Sequence, residues 1–333
     1  MFLADTHNFG QQVKRVQQGT DALPCFYFDK PRSVYWEWLF FGQTSPLKNI
    51  FEFKSRDPYK TLSNYLFNLD IEILGKWRGR SKEVVEWSGA ITNEHFYAFG
   101  ALIAYCYIFG IRDLHKQNLI KTESHFQVVD AEVVFTRLIL PSETLLLPFK
   151  HIGYELSGIG VFANNKSEHT LEQKQEIIDG YMDMFSFVID KKNQIDEIFS
   201  SLKLDSHPIR VIIRNTSEYK SILESNEENI LKSELCQLSR GDVPFYFKYL
   251  GRSELLWLSK INTESSELVP DLLIKDVDRH ALFYSIGWCE SVASERMMAT
   301  GILCLRKYFN IKDDYIFAIG DSAFSVQAPK DLK

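Results

Sequence analysis

The run Phe99 to Ile111, FGALIAYCYIFGI, constrains this chain more than any other segment. It carries no charge, so no placement on a protein surface would hide it. At thirteen residues it also falls short of the roughly 20 that a membrane-spanning helix needs. A helix buried on all sides of a large core satisfies both limits. The pattern extends back to about Asn93, the expected N-cap, and Gly110 is the expected stop. Surrounding such a helix takes much apolar surface, and 45% hydrophobic residues, with 25 Phe, 15 Tyr and 6 Trp among 333, supply it. General disorder is thereby excluded.

Charge narrows the function classes. Lys and Arg number 38 against 44 Asp and Glu, a formal net charge of −6. A nonspecific binder of nucleic acid or of an anionic membrane would show the opposite balance, so neither partner is expected. A polyanionic ligand would need a local cluster of cations or a metal. The five cysteines (Cys25, Cys106, Cys236, Cys289, Cys304) are odd in number and form no C-x-x-C pair. Buried reduced thiols are expected rather than a disulfide framework or a zinc knuckle. MFLADTHNFG shows no basic segment followed by an apolar one, so no signal peptide is read, and the expected location is cytoplasmic.

Along the chain, residues 22 to 54 are dense in aromatics and read as strand-rich, with alternation over Asn49 to Lys54. Leu62, Tyr65, Leu66 and Leu69 recur at helical spacing. After the apolar helix come a polar loop from Arg112 to Gln117, a strand Leu119 to Lys121, a turn, and a second strand from Phe126 to Phe135. Thr170 to Leu202 is helical, with Ile177, Ile178, Tyr181, Met184, Phe185 and Val188 on one side. Ile209 to Ile213 is a strand or the start of a helix. Ser217 to Leu238 reads as helix, Asn262 to Pro270 as a linker, and about Asp276 to Phe309 as a last helix. Mixed strand and helix followed by mostly helix gives an α+β fold. Its expected lobes are a strand-rich N-lobe over 1–92, with a phosphate loop and a lysine, and a helix-rich C-terminal lobe over 93–333. The second carries the catalytic loop, the metal-binding strand and a helical region with two arginines.

The richest segment chemically is Asp113-Leu-His115-Lys-Gln-Asn118, followed after a short hairpin by Asp130-Ala-Glu132. Phosphoryl transfer needs a carboxylate near the attacking hydroxyl, oxygen ligands for the metal on the triphosphate, and a fixed distance between them. Asp113 and His115 would face the hydroxyl and the γ-phosphate, while Asn118 and Asp130 would offer hard oxygens to Mg²⁺. Lys30, at the end of a strand, is the candidate ligand for the α/β-phosphates, and Lys54 is its competitor. Glu37 either pairs with that lysine, if 34–42 is a helix, or is solvated surface charge. Arg210 and Arg214, with Thr216 beyond, could grip a phosphate bidentately or could be surface arginines at a helix start.

Several segments in order resemble the dehydratase domain of class II lanthipeptide synthetases, whose catalytic core is similar to phosphoinositide kinases. Asp5-Thr-His7-Asn-Phe-Gly10 is similar to D-S-H-N-x-G, Lys30-Pro-Arg-Ser33 to K-P-R-S, and Asp113-Leu-His115-x-x-Asn118 to D-L-H-x-x-N. Asp130-x-Glu132, Arg210-x-x-x-Arg214-x-Thr216 and Gly241-Asp-Val-Pro-Phe245 also have counterparts, over roughly residues 5 to 258. The resemblance implies a two-lobed lipid-kinase/protein-kinase-like core using ATP and Mg²⁺. It would phosphorylate Ser or Thr of a ribosomal precursor peptide and then eliminate phosphate to dehydroalanine or dehydrobutyrine. It assigns Lys30, Asp113, His115, Asn118, Asp130 and Glu132 to phosphorylation, Asp5 and His7 to the adjacent phosphate-side loop, and Arg210 and Thr216 to elimination. The alternative is a kinase that stops at the phosphorylated product. No zinc-cyclase constellation is read, so a stand-alone dehydratase is expected, with a separate cyclase or other tailoring enzyme as a further partner.

Overall fold

The computed structural model describes Thr6 and residues 9–19, 24–52, 62–162, 169–225, 230–252, 254–259, 266–268, 295–311, 315–319 and 322–326. Strands β1 (Lys14–Gln18) and β2 (Cys25–Lys30) open the chain, and helices α1 (Tyr35–Phe41), α2 (Lys48–Phe51) and α3 (Ser63–Leu66) follow. The hairpin β3 (Ile71–Gly75) and β4 (Arg78–Lys82) completes an antiparallel sheet of order β1-β2-β4-β3. Helix α4 (Asn93–Ile108) is the apolar run of the sequence, and every residue from Phe99 to Ile108 is buried.

Against α4 lies α5 (Leu171–Ser201), opened by Thr170, whose hydroxyl accepts from Gln173 N at 3.2 Å while Gln173 Oε1 accepts from Thr170 N at 3.0 Å. The two helices touch backbone to backbone. A Cβ at Gly100 would lie 1.9 Å from the Ile177 carbonyl oxygen, and one at Gly180 would lie 2.0 Å from that of Tyr97. Each helix therefore meets the other at a residue without a side chain. Around this pair pack the edge-on rings of Phe40, Tyr105, Phe109, Phe135 and Phe199, and Tyr105 donates its hydroxyl proton to the Phe40 carbonyl at 3.0 Å. Such aromatic pairs each add about 0.5–1.5 kcal/mol beyond burial of area.

A hairpin, β5 (Leu119–Lys121) and β6 (Phe126–Val128), follows α4. Beyond α5 come β7 (Ile209–Val211), α6 (Thr216–Ser225), α7 (Lys232–Ser239), β8 (Tyr246–Lys248), β9 (Leu256–Leu258) and β10 (Ser266–Leu268), whose strands form a second antiparallel sheet of order β10-β9-β8-β7. Helix α8 (Glu295–Phe309) joins the main core through Met298, Ile302, Leu305 and Phe309, and β11 (Tyr315–Ile319) pairs with β12 (Ser322–Val326). The two larger sheets meet where Trp77, in the β3–β4 turn, sets its ring edge-on to Phe247 at 4.8 Å.

Several expectations change. Within 22–54 only Cys25–Lys30 is a strand among the described residues, and the alternation from Asn49 belongs to α2. Aromatic density marked burial rather than period: Tyr35, Trp36, Leu39, Phe40 and Phe41 all pack into the core, so α1 shows no polar stripe. The N-cap of α4 is Thr92 rather than Asn93. The strand expected to reach Phe135 ends at Val128, because the following backbone turns back onto the end of α4: Arg112 N donates to Val133 O at 2.9 Å and Phe135 N to Phe109 O at 2.9 Å. Residues 209–211 are a strand, and part of the expected linker is β10. Short strands of three residues hid the second sheet from the sequence. Of the last expected helix, 295–309 is described and helical. Cys106 is buried, Cys25 and Cys304 are half-buried, Cys236 is exposed rather than buried, and Cys289 lies outside the described residues. Among the described residues no helix is long and apolar enough to cross a membrane.

His95 and His125 are buried together beside the β5–β6 turn. His95 Nε2 lies 3.0 Å from the Thr122 carbonyl oxygen, and His125 Nδ1 lies 2.9 Å from Thr122 Oγ1. On its far side His125 Nε2 faces the Asn68 amide nitrogen at 3.2 Å, which suits a neutral ring accepting from Asn68. Burial lowers both histidines, His125 from 6.5 to about 4. A base depressed on folding stabilises the fold in its neutral form; that contribution is complete above pH 6.5 and is lost as pH falls toward 4. Thermal stability is expected to drop across this window, by about 1.4 kcal/mol per pH unit per proton taken up. In a His125→Asn variant a melting profile against pH should show a shallower slope; an equal slope would overturn the assignment.

Candidate active site

The end of β2 delivers two cations into the interior. Lys30 Nζ lies 2.6 Å from Glu37 Oε2 and donates to the Val129 carbonyl at 2.7 Å. Two residues on, the Arg32 guanidinium spreads over three carboxylates: Nη1 is 2.6 Å from Glu37 Oε1, Nη2 is 2.6 Å from Asp130 Oδ1, and Nε is 3.4 Å from Glu132 Oε2. Glu132 reaches on to β7, where Arg210 Nη1 donates to its Oε1 and Arg210 N donates to its carbonyl at 3.2 Å. Phe245 lies under the same guanidinium, 5.2 Å from its centre. A continuous chain of ion pairs thus runs from Lys30 to Arg210.

Its members are unequally covered. The side chains of Lys30, Arg32, Glu37 and Glu132 are 1–8% exposed, Arg210 is 18% exposed, and Asp130 is 37% exposed. Asp130 is therefore the member a solute can reach. Burial alone would lower Arg32 and Arg210, but the carboxylates outweigh it: Asp130, Glu132 and Glu37 raise Arg32, and Glu132, Asp130 and Asp113 raise Arg210. Removing one partner from a buried pair typically costs about 3–5 kcal/mol, because the other charge is left uncompensated.

The loop after α4 brings Asp113 to this network. Its backbone is left-handed (φ 66°), a conformation that Asp and Asn tolerate better than most residues. Leu114 N is held by Thr144 O at 3.0 Å, Lys116 N by Leu156 O at 3.0 Å, and Val129 N reaches back to Asn118 O at 3.0 Å. Asn118 Nδ2 donates to the Asp113 carbonyl at 2.7 Å and lies 3.4 Å from His115 Nε2. Burial raises the Asp113 carboxyl above its ordinary value, opposed by His115 and Arg210 and reinforced by Asp130 and Glu132. A carboxylate made more basic in this way is suited to take a proton.

A second joint brings the chain's beginning onto the 241–245 segment. Phe9 and Gly10 both have φ near 74°, and their backbone N–H groups converge on the fully buried Asp242, at 2.7 Å to Oδ2 and 2.7 Å to Oδ1. Val243 N donates to Thr6 O at 2.8 Å, and Arg240 lays its guanidinium over the Phe9 ring at 3.9 Å. Asp242 thus fastens the chain's beginning to the Gly241–Phe245 segment, a role that the motif alone does not reveal.

Of the expected site residues, Glu132 pairs directly with Arg210, Asp130 and Lys30 join the same chain through Arg32 and Glu37, Asp113 acts electrostatically on Arg210, and His115 and Asn118 bear on Asp113. Arg214 is not part of this group: it pairs with the buried Glu234 at 3.1 Å, which also accepts from Tyr219. Arg210 is on β7, whereas Arg214 lies in the bend after that strand ends at Val211, so the shared helix face expected for the two is not formed. Thr216 is exposed in the first turn of α6, whose cap is Asn215, accepting from Glu218 N at 2.9 Å. Asp5, His7 and Lys54 lie outside the described residues. Of the two readings of Glu37, the pairing with Lys30 that a helix over 34–42 would allow is the one found, at 2.6 Å, and Arg32, quoted only as part of K-P-R-S, holds the most carboxylates. A Lys–x–Arg strand end followed by a lone Glu among aromatics was the signal available for both.

The donors fit Mg²⁺. That ion takes one or two protein carboxylates and completes its shell with phosphate and water oxygens. Asp130 offers an exposed carboxylate, and Asn118, with its nitrogen committed to Asp113, offers its oxygen. No group of three His, Cys, Asp or Glu among the described residues could hold a metal by itself.

Residues 86–167 match the family model described as a domain of unknown function, DUF4135, a domain found in lanthionine synthetase-related proteins. The matched stretch includes α4, the Asp113–Asn118 loop, Asp130 and Glu132. No curated protein matches the chain. Asp242→Asn keeps the shape of the second joint but replaces one acceptor oxygen with a donor facing an N–H. It is expected to cost about 1–3 kcal/mol, read as a lower denaturant midpoint with an unchanged m-value, together with faster hydrogen exchange at Phe9 and Gly10.

Proposed function

We propose that this chain phosphorylates Ser or Thr side chains of a precursor peptide with ATP and then eliminates the phosphate, leaving dehydroalanine or dehydrobutyrine. The observation that carries the reading is the continuous ion-pair chain Lys30–Glu37–Arg32–Asp130/Glu132–Arg210, with the basic Asp113 beside it. The match to a domain of lanthionine synthetase-related proteins supports the same reading. In this proposal the core is two-lobed and kinase-like, with 1–92 over 93–333.

Each residue has a physical task. Glu37 and Val129 O take two of the three Lys30 N–H groups, so the third remains for a phosphate oxygen. Asp113 accepts the proton of the attacking hydroxyl as that oxygen bonds to the γ-phosphorus and the bond to ADP breaks. His115 stands beside it, and Asp130 with Asn118 would hold the metal. Bound with the triphosphate, Mg²⁺ supplies charge stabilisation on the transferring group. In the second step a general base takes the α-proton, the C–H electron pair becomes the Cα–Cβ double bond, and the Cβ–O bond breaks with its electron pair leaving on inorganic phosphate. Arg210, with Nη1 on Glu132, has further N–H groups for the departing phosphate. Thr216 would assist there.

One observation favours the alternative, a kinase that leaves the phosphate in place: Thr216 is exposed and its helix is capped by Asn215, with no described contact to Arg210. Co-expression with a Ser/Thr-rich precursor, read by mass spectrometry, separates the two. Loss of water is the expected result, a stable phosphate adduct supports the alternative, and an unchanged peptide with no ATP binding overturns both. Asp130→Asn should lower both modifications about 10²–10³-fold, whereas Arg210→Met should let phosphopeptide accumulate. Identical behaviour of the two variants would sink this division of labour.

A further inference from the structure

We propose that Arg32 is the resident counter-ion of Asp130, and that it makes the site take up a divalent cation as a nucleotide complex rather than as the bare ion. This inference rests on the phosphoryl-transfer reading and adds a positioning residue to it. The cations Lys30, Arg32 and Arg210 face the carboxylates Glu37, Asp130 and Glu132, so the ion-pair chain is balanced before any ligand arrives. A bare dication approaching Asp130 meets a carboxylate whose charge is already answered by a guanidinium nitrogen 2.6 Å away. Like charges at such a separation repel strongly where water is scarce. A dication arriving on a triphosphate brings its own negative charge, and its phosphate oxygens can accept the N–H groups that Arg32 withdraws.

Exchange at this point is inexpensive for Arg32. Its other two carboxylates, Glu37 at 2.6 Å and Glu132 at 3.4 Å, are 1% and 8% exposed and stay with it when Asp130 leaves. The guanidinium therefore keeps two carboxylates, shared with Lys30 and Arg210, and the one positive charge left over in the chain is answered by the phosphate oxygens that arrive with the dication, so no buried ion is stranded. Asp130, at 37% exposure, is the one arm of the contact that opens to solvent. A guanidinium required only to neutralise the two interior glutamates would have no need of that third arm.

The probe is Mn²⁺, whose hydrated ion is counted by its paramagnetic resonance signal, titrated against the full chain with and without ATP. Wild-type protein should hold bare Mn²⁺ at least about tenfold more weakly than Mn²⁺ with ATP. Arg32→Gln should tighten bare Mn²⁺ about tenfold or more, Arg32→Lys should not, and adding Asp130→Asn to Arg32→Gln should abolish the gain. A folded Arg32→Gln protein that binds bare Mn²⁺ no better than wild type overturns the proposal. So does wild-type protein with equal affinity in the two conditions, a result that needs no variant to fold. Wild-type protein that retains neither form sinks the phosphoryl-transfer reading, and this inference with it; retention of Mn²⁺ with ATP alongside an unaltered Arg32→Gln sinks the inference alone.

Discussion

Five charged side chains have been largely withdrawn from bulk water between β2, α1, the stretch after β6 and β7, with a sixth, Asp130, at the open edge of the group, and none of the five could stay there alone. Pairing inside a protein recovers little more than the cost of desolvation, so such a network is weak evidence for stability. What it supplies is geometry. Lys30 comes from the end of β2 and Arg32 from the bend just after it, Glu37 from the following helix, Asp130 and Glu132 from beyond the hairpin, and Arg210 from the second sheet. Each element must arrive for the others to be compensated. Formation of the site and completion of the fold are in that sense one event, and an alternative packing that misplaced any of these elements would strand a buried charge.

The helix pair sets the platform on which this happens. Because Gly100 and Gly180 let α4 and α5 approach backbone to backbone, α4 packs closely on α5, and its C-terminal half is buried in the core through Ile108. The backbone leaving α4 is then pinned at Arg112 by Val133 and at Leu114 by Thr144. Asp113 sits between those two anchors in a left-handed conformation. A mobile loop would let the carboxylate drift toward water, and its upward shift depends on burial. Core packing, loop geometry and side-chain basicity are therefore successive links of one cause.

What could be read in the sequence follows from how far each signal travels. Helices α4 and α5 were legible because their patterns run over many residues, and Asp113, Asn118, Asp130 and Glu132 were legible as candidates because they lie within a short stretch. Arg32 was not, and Glu37 only as one of two alternatives, since whether a carboxylate among aromatics is buried depends on partners far away: Arg32 meets Asp130 across 98 positions. Asp242 was harder still, as its role is to hold two amides more than 230 residues upstream. Helix α1 stays ambiguous in the sequence, between a strand-rich reading and a helix over 34–42, because burial on nearly every side erases the polar stripe that reveals a period. The second sheet was missed because three-residue strands are too short to alternate.

Glu132 occupies a position that bears on why two chemical steps could share one site. In the proposed reaction the phosphate attached in the first step is the leaving group of the second, so the product of one must already lie within reach of the groups that serve the other. Glu132 gives one oxygen to Arg32, on the side of Asp130, and the other to Arg210, on the side of departure. A single rigid carboxylate thus fixes the spacing between the two guanidinium groups. Moving either arginine would mean breaking a buried ion pair, so the spacing is set by charge compensation instead of by loop length. A phosphoryl group held between them would need little travel from one step to the next, and that is the geometric condition for elimination to follow phosphorylation before the peptide leaves.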